Sequence, residues 1–336
     1  MTDLQAPEES NAPATAGGAG GGSEVTSAAL GLAQKPLTPT TLAWRRFRRH
    51  KLALLSTGVL FVVVVLCAFA GLFTKYGIHT QIRTNGPDSP LASFLGPRRG
   101  HWFGTDDGGY DEWTNVLYGG RISLAVGGAV AVISVAIGAI VGVIAGYYGR
   151  WVDNLLMRVT DLFLAIPFLV SLIIGSRLPE TQHWARLIMG DPKSMRAVIV
   201  ILSAFFWMPV ARVIRGLVLS LKEKEFIEAA RAAGASDSRI MFRHLLPNCT
   251  GQIIVNTTLG VAAAILTESA LSFLGFGIDP VTAPTWGNLI SSGQGQIDIA
   301  PHLVWIPGLA ITLVVLCVNF IGDGLRDALD PKQLAV

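Results

Sequence analysis

The chain has 336 residues, of which 51% are hydrophobic and only 15% charged, with a formal net charge of +3. Soluble domains usually carry about 25% charged residues, and the mean hydropathy here is +0.51. The combination excludes a disordered chain and argues against a soluble enzyme. So small a net charge gives no warrant for nucleic-acid binding, which wants basic residues clustered on one face.

In chain order, residues 1–41 are rich in Ala, Gly, Ser, Thr and Pro, with GGAGGGS at 17–23. Such a segment buries too little apolar surface to offset its ordering entropy and reads as a disordered tail. Arg45, Arg46, Arg48, Arg49 and Lys51 follow, directly before the first of four charge-free runs, at 52–74, 122–149, 244–267 and 299–322. A helix needs about 20 apolar residues to cross a bilayer core about 30 Å thick. Two further spans, near 155–175 and 197–219, carry charges close to one end: Arg158 and Asp161 in the first, Arg212 and Arg215 in the second. The sequence therefore predicts an all-α polytopic membrane protein with six spans. The excess of Lys and Arg places both termini in the cytoplasm. The first run is longer than a signal-peptide core and starts after about 50 residues, so it reads as a retained span.

The predicted organisation is a tail at 1–41, an N-terminal transmembrane helix at 42–75 and an extracytoplasmic loop at 76–112. A transmembrane domain at 113–325 and a cytoplasmic tail at 326–336 complete it. In span two, Ser134, Gly138, Gly142 and Gly146 recur at spacing four and form a ridge of small side chains that lets another helix approach closely. Pro167 and Pro209 are expected to kink spans three and four.

Chemical signatures are sparse. No phosphate-cradling G-x-x-x-x-G-K-[ST], H-E-x-x-H or G-x-S-x-G occurs. Cys67, Cys249 and Cys317 lack metal or redox spacing, and Asp106-Asp107-Gly108 reads as a turn, because its oxygens do not alternate as a calcium loop requires. No cofactor or metal is implied. Asp161 and Glu268 are the intramembrane acids, and such residues are candidates for a translocation path. Asp161 lies three residues after Arg158 and is predicted to pair with it. Glu268, about 17 residues into span five, faces either a water-filled cavity or a hydrogen-bonding neighbour.

Between spans four and five lies the segment 222–247, read as a helical hairpin. Its first helix, 222–233, stops at Gly234, a natural left-handed cap. Ser236 is placed to cap the second, on which Ile240, Met241, His244 and Leu245 share a face. An apolar face rimmed by charge marks a docking surface. With no nucleotide site in the chain, a docked ATPase is a sensible partner.

These residues resemble the EAA signature of bacterial ABC importer permeases, E-A-A-x3-G-x9-[I]-x-L-P. Glu228, Ala229, Ala230, Gly234, Leu246 and Pro247 match, and His244 stands where the general pattern has Ile. Arg243-His244-Leu245-Leu246-Pro247-Asn248 is similar to the dipeptide/oligopeptide/nickel branch. Gly104-Thr105-Asp106-Asp107, Tyr118-Gly119-Gly120-Arg121-Ile122-Ser123-Leu124, Leu271–Gly277, Trp286-Gly287-Asn288 and Gly322–Pro331 match its second (C-type) permease. Tyr110 and Thr114-Asn115 depart from arginine-bearing positions of that pattern, and the outside loop 176–196 is longer than usual, with room for a short surface helix that touches a binding protein.

The resemblance implies a type I ABC importer permease fold in a bacterial cell membrane. It implies a heterodimer with a homologous second permease, two cytoplasmic ABC ATPase subunits and an extracytoplasmic substrate-binding protein. Di- and oligopeptides are the implied cargo, with nickel chelates, glutathione or other small solutes as alternatives. An ion-driven secondary transporter is the rival from another class. In the implied mechanism the ATPases push the 222–247 hairpin. Glu228 anchors it by an ion pair, Gly234 sets its bend, and Ile240 and Met241 fill the ATPase groove.

Overall fold

The computed structural model describes residues 39–84 and 89–329. The predicted tail at 1–38 and the final residues 330–336, including Asp330-Pro331 of the last motif, lie outside the described residues. The compact unit discussed below is Ala43–Val336. Among the described residues the chain is helical, with only isolated β-bridges such as Arg83 with Leu91 and Thr105 with Asp111.

Helix α1 (Pro39–Phe47) precedes α2 (Lys51–Ala68), the first long apolar helix. His50 starts α2 by accepting a hydrogen bond from the Ala53 amide on its Nδ1 (3.1 Å). A short turn, α3 (Ala70–Phe73), leads into the loop at 74–111. Helix α4 (Glu112–Tyr148) begins at Asp111, whose carboxylate takes the Thr114 amide at 3.0 Å and so satisfies one free donor of the first turn. Gly149 ends it at φ 63°, a conformation that favours glycine.

Helices α5 (Arg150–Ala165) and α6 (Phe168–Thr181) form the predicted third span, but they bend by 92° at the break. Pro167 is the physical cause: it has no amide hydrogen, and it pushes Ile166 into an extended conformation, ψ 134°. Short α7 (His183–Met189) precedes α8 (Met195–Leu221), and Pro209 lies inside α8 without ending it.

The ridge on α4 lies against α8. A Cβ on Gly138 would meet the Trp207 carbonyl oxygen at 2.6 Å, one on Gly142 that of Ala211 at 2.6 Å, and one on Gly146 the Val218 Cβ at 2.8 Å. Residue numbers rise together along this seam, so α4 and α8 run parallel. The chain between them must then return across the same thickness, and the bent α5–α6 pair makes that return. It is a broken span rather than a re-entrant loop, which gives six crossings.

The hairpin segment comprises α9 (Glu225–Ala232), α10 (Asp237–Arg239), a π-helical stretch (Ile240–Leu245) and α11 (Leu246–Asn248). The fourth long apolar helix, α12 (Thr250–Phe273), which is the predicted fifth span, starts six residues later than the charge-free run at 244–267, because 237–248 belongs to the hairpin. Helix α13 (Trp286–Gln294) caps the opposite face, and α14 (His302–Leu329) runs on past residue 325, where the transmembrane domain was expected to end.

Candidate functional site: the interhelical hairpin and the structures that hold it

Helix α9 is shorter than the predicted 222–233, since 222–224 forms the turn leaving α8. Gly234 has φ 79°, with open space where a Cβ would stand, so the conformation and not crowding calls for glycine. Ser236 occupies the N-cap position of α10, but its side chain makes no capping hydrogen bond.

The apolar face of the hairpin is turned inward. Ile227, Ile240 and Leu245 are fully buried and Met241 nearly so, in one cluster with Tyr147, Val218 and Cys249. This corrects the expectation that Ile240 and Met241 fill a partner's groove. The amphipathic pattern shows that one face is covered, and the chain's own α4 and α8 cover it. His244 is half-buried, and Leu246 likewise, whereas Glu228, Ala229, Gly234 and Pro247 are exposed. Exposed with them are two aromatic side chains, Phe226 and Phe242, at 40% and 46%. Glu228 forms no ion pair among the described residues.

Other side chains tie the hairpin to α4 within the chain. The Tyr147 hydroxyl, at the end of α4, donates to Asp237 Oδ1 at 2.6 Å. The Arg231 guanidinium of α9 lies 5.6 Å from the Tyr147 ring centroid, a cation–π contact. One tyrosine thus holds both arms of the hairpin, and Lys222 Nζ adds a bond to the Gly146 carbonyl (3.2 Å). The π-helical stretch at 240–245 widens the second arm. Such bulges recur at functional sites.

The intramembrane acids separate. Asp161 pairs with Arg212 of α8 at 2.5 Å, and both side chains are about half exposed. The expected local partner, Arg158, is not bonded to it: the cross-helix guanidinium wins. A second pair, unsuspected from sequence, joins Asp153 of α5 to Arg215 of α8, with the Nη2–Oδ2 contact at 2.5 Å. Two adjacent α8 arginines therefore clamp the α5 half of the broken span.

Glu268 is fully buried and accepts hydrogen bonds from Ser123 of α4 (3.0 Å) and Ser272 of its own helix (2.7 Å). The Trp286 amide donates in turn to Ser123 Oγ at 3.4 Å, and the Trp286 indole to the Val116 carbonyl at 2.9 Å. A Cβ on Gly287 would sit 2.3 Å from the Ser269 carbonyl. The Ser123, Glu268 and Trp286-Gly287-Asn288 motifs, far apart in sequence, thus form one knot of α4, α12 and α13 on the face away from the hairpin.

The described parts of the connecting loop, 74–84 and 89–111, lie on that face. Asp106-Asp107-Gly108 is a turn: the Asp106 amide bonds the Tyr110 carbonyl (3.0 Å). The Asp106 side chain takes the Tyr110 amide (2.8 Å) and the Asn115 side chain (3.4 Å). Burial raises the Asp106 carboxyl to about 6, against the lowering effect of the Tyr110 N–H. Asp106, Tyr110 and Asn115 line a cavity of about 280 Å³ with His79, Pro284 and Asn288. Tyr110 and Asn115, two departures from the family pattern, thus have structural places here. The short helix α7 in the long loop exposes Trp184, Leu187 and Ile188. No group of three or more potential metal-binding side chains occurs among the described residues.

Residues 138–334 match the family described as binding-protein-dependent transport system inner membrane component, and residues 38–97 match the N-terminal TM domain of oligopeptide transport permease C. The dipeptide transport system permease protein DppC of Alkalihalophilus pseudofirmus is 40% identical over 88% of this chain and 91% of its own. The oligopeptide transport system permease protein OppC of Bacillus subtilis is 36% identical over 92% and 96%. The glutathione transport system permease protein GsiD of Escherichia coli O6:K15:H31 is 38% identical over 88% and 91%. Inward facing structures of the MetNI methionine ABC transporter include a chain that superposes with a TM-score of 0.51 at 22% identity, over 64% of this chain and 96% of that one, a likeness of fold alone.

Proposed function

This chain belongs to the inner membrane components of binding-protein-dependent transport systems, and from that premise we propose that it imports peptides as half of an ATP-driven translocation path. The observation that carries the reading is the hairpin. It is held through Tyr147 to the long helix α4, it exposes an apolar and charged outer surface, and the described residues hold no phosphate-cradling loop of their own.

In this reading the Arg45–Lys51 face is cytoplasmic, as are both termini and the hairpin. A homologous second permease completes the path, and two ATPases bind at the hairpins. Phe226 and Phe242, rather than Ile240 and Met241, enter the ATPase groove, beside Glu228 and Ala229. When the ATPases close, each pushes its hairpin, and Tyr147 passes the displacement to α4, whose glycine seam carries α8 with it. This is rigid-body gating of packed helices. The binding protein delivers cargo at the face formed by the 74–111 loop, α7 and α13. Glu268 and Asp161 serve this path as supports of the helices that line it, through the Ser123 and Arg212 contacts.

Two variants test the hairpin. Glu228→Arg and Gly234→Pro should leave membrane insertion intact and abolish ATP-coupled uptake. Normal uptake by both would overturn the assignment. The relationship to a glutathione permease keeps a second cargo in play. Uptake of labelled dipeptide, longer peptide and glutathione with the cognate binding protein separates them, and exclusive glutathione import would contradict the peptide reading.

A further inference from the structure

Along the outer side of α2 runs an open apolar groove of about 800 Å³. Lys51 stands at its foot, Leu55, Gly58, Val59 and Val62 form its length, and Leu313 of α14 lies at its far end. Its floor is open at Gly58, where a Cβ would meet nothing within 4 Å. From Lys51 to Val62 the helix rises by about 16 Å, close to half of a bilayer core about 30 Å thick. The groove therefore spans one leaflet, with a cation where the headgroup layer begins.

That cation is not alone. Arg45, Arg48 and Arg49 are exposed, as is Lys51, and none forms an ion pair among the described residues. No acidic residue occurs anywhere from 25 to 87. The acids on the element packed against this segment are Asp323 and Asp327, on the last turns of α14, where Gly324 and Ala328 meet Phe47 and Ala53. Both acids are exposed and neither pairs with the cluster. Trp44, 60% exposed and beside the arginines, suits the interfacial layer. Orienting the first span by its arginines alone would need no groove, and lipid-facing burial alone would need no concentration of free cations at one end.

We propose that this foot-and-groove arrangement is a binding site for an anionic phospholipid of the leaflet on the arginine-rich side. The headgroup phosphate is held by Arg48, Arg49 and Lys51, and one acyl chain lies over Gly58. Juxtamembrane cations attract anionic lipid with a strength that adds per residue, and the groove converts that attraction into a fixed position.

The test uses the full chain, purified with the subunits that accompany it and exchanged into nanodiscs holding equal phosphatidylglycerol and phosphatidylcholine. Lipid retained after transfer to detergent is counted by native mass spectrometry. The wild type should retain phosphatidylglycerol over phosphatidylcholine by about fivefold or more. Arg48→Gln with Arg49→Gln, leaving Arg45, Arg46 and Lys51 to orient the span, should reduce the preference to near unity. Gly58→Leu, which fills open space, should lower retention of both lipids with an unchanged thermal midpoint. Equal retention of both lipids by the wild type would overturn the proposal. So would a preference that survives both variants, or a Gly58→Cys cross-link that captures a neighbouring protein helix instead of lipid.

Discussion

At the scale of single residues, the chemistry that matters is carried by side chains with two partners. Tyr147 is one: its hydroxyl bonds Asp237 and its ring carries Arg231. Tyr147→Phe keeps the ring and deletes only the hydroxyl bond to a charged acceptor, an interaction worth about 1.5–3 kcal/mol. Uptake should fall severalfold while ATP hydrolysis by the assembled complex persists. Equal loss of both would show a general folding defect instead. Asp106 is another, set on the opposite face, with its carboxyl raised by burial to about 6. A raised carboxyl binds its proton more tightly in the folded loop than in the unfolded chain, so its contribution is complete below about 4 and is lost as pH rises through about 6. Melting of the purified protein, followed by Trp fluorescence from pH 4 to 8, should show a midpoint that declines across that window. In Asp106→Asn the decline should be reduced. Sequence showed neither role. Tyr147 sits 90 residues from Asp237, and no local pattern brings them together. Asp161 makes the same point in reverse, because the spacing rule offered Arg158 whereas the fold supplied Arg212.

At the scale of elements, the spans were legible because gaps between charges are a one-dimensional signal of bilayer crossing. The 92° bend at Pro167 was legible as a kink but not as a right angle, since the angle depends on what α6 packs against. The hairpin was legible as two arms with Gly234 between them. Which way its apolar face points was not, because amphipathicity records that a face is covered and not what covers it. The glycine ridge was readable as a close-packing surface, and its partner, α8, only from the fold. Replacing Gly142 with Leu drives a side chain into the Ala211 carbonyl and Ile214, whereas Gly128 on the same helix faces open space. Overpacking typically costs about 1–3 kcal/mol. Gly142→Leu should lower the thermal midpoint in detergent by several degrees, and Gly128→Leu should leave it within about a degree. Equal effects would show that the α4–α8 seam is looser than described.

At the scale of the whole molecule, two knots bracket the parallel pair α4–α8. On one face Tyr147 ties the hairpin to α4, and on the other Ser123, Glu268 and Trp286 tie α4 to α12 and α13. Between the knots the contact is a ridge of glycines, which lets helices shift together without opening a void. A push on the hairpin would therefore reach the far face through rigid elements, which is what an ATP-driven importer requires of its membrane subunit. The most direct measurement is uptake of labelled peptide into proteoliposomes. These would contain this chain with its partner permease, ATPases and binding protein. Internal ATP and the transmembrane ion gradient would be removed one at a time. Uptake should stop when ATP is removed and continue when the gradient is collapsed. Uptake that survives ATP depletion and vanishes with the gradient would contradict ATP-driven import.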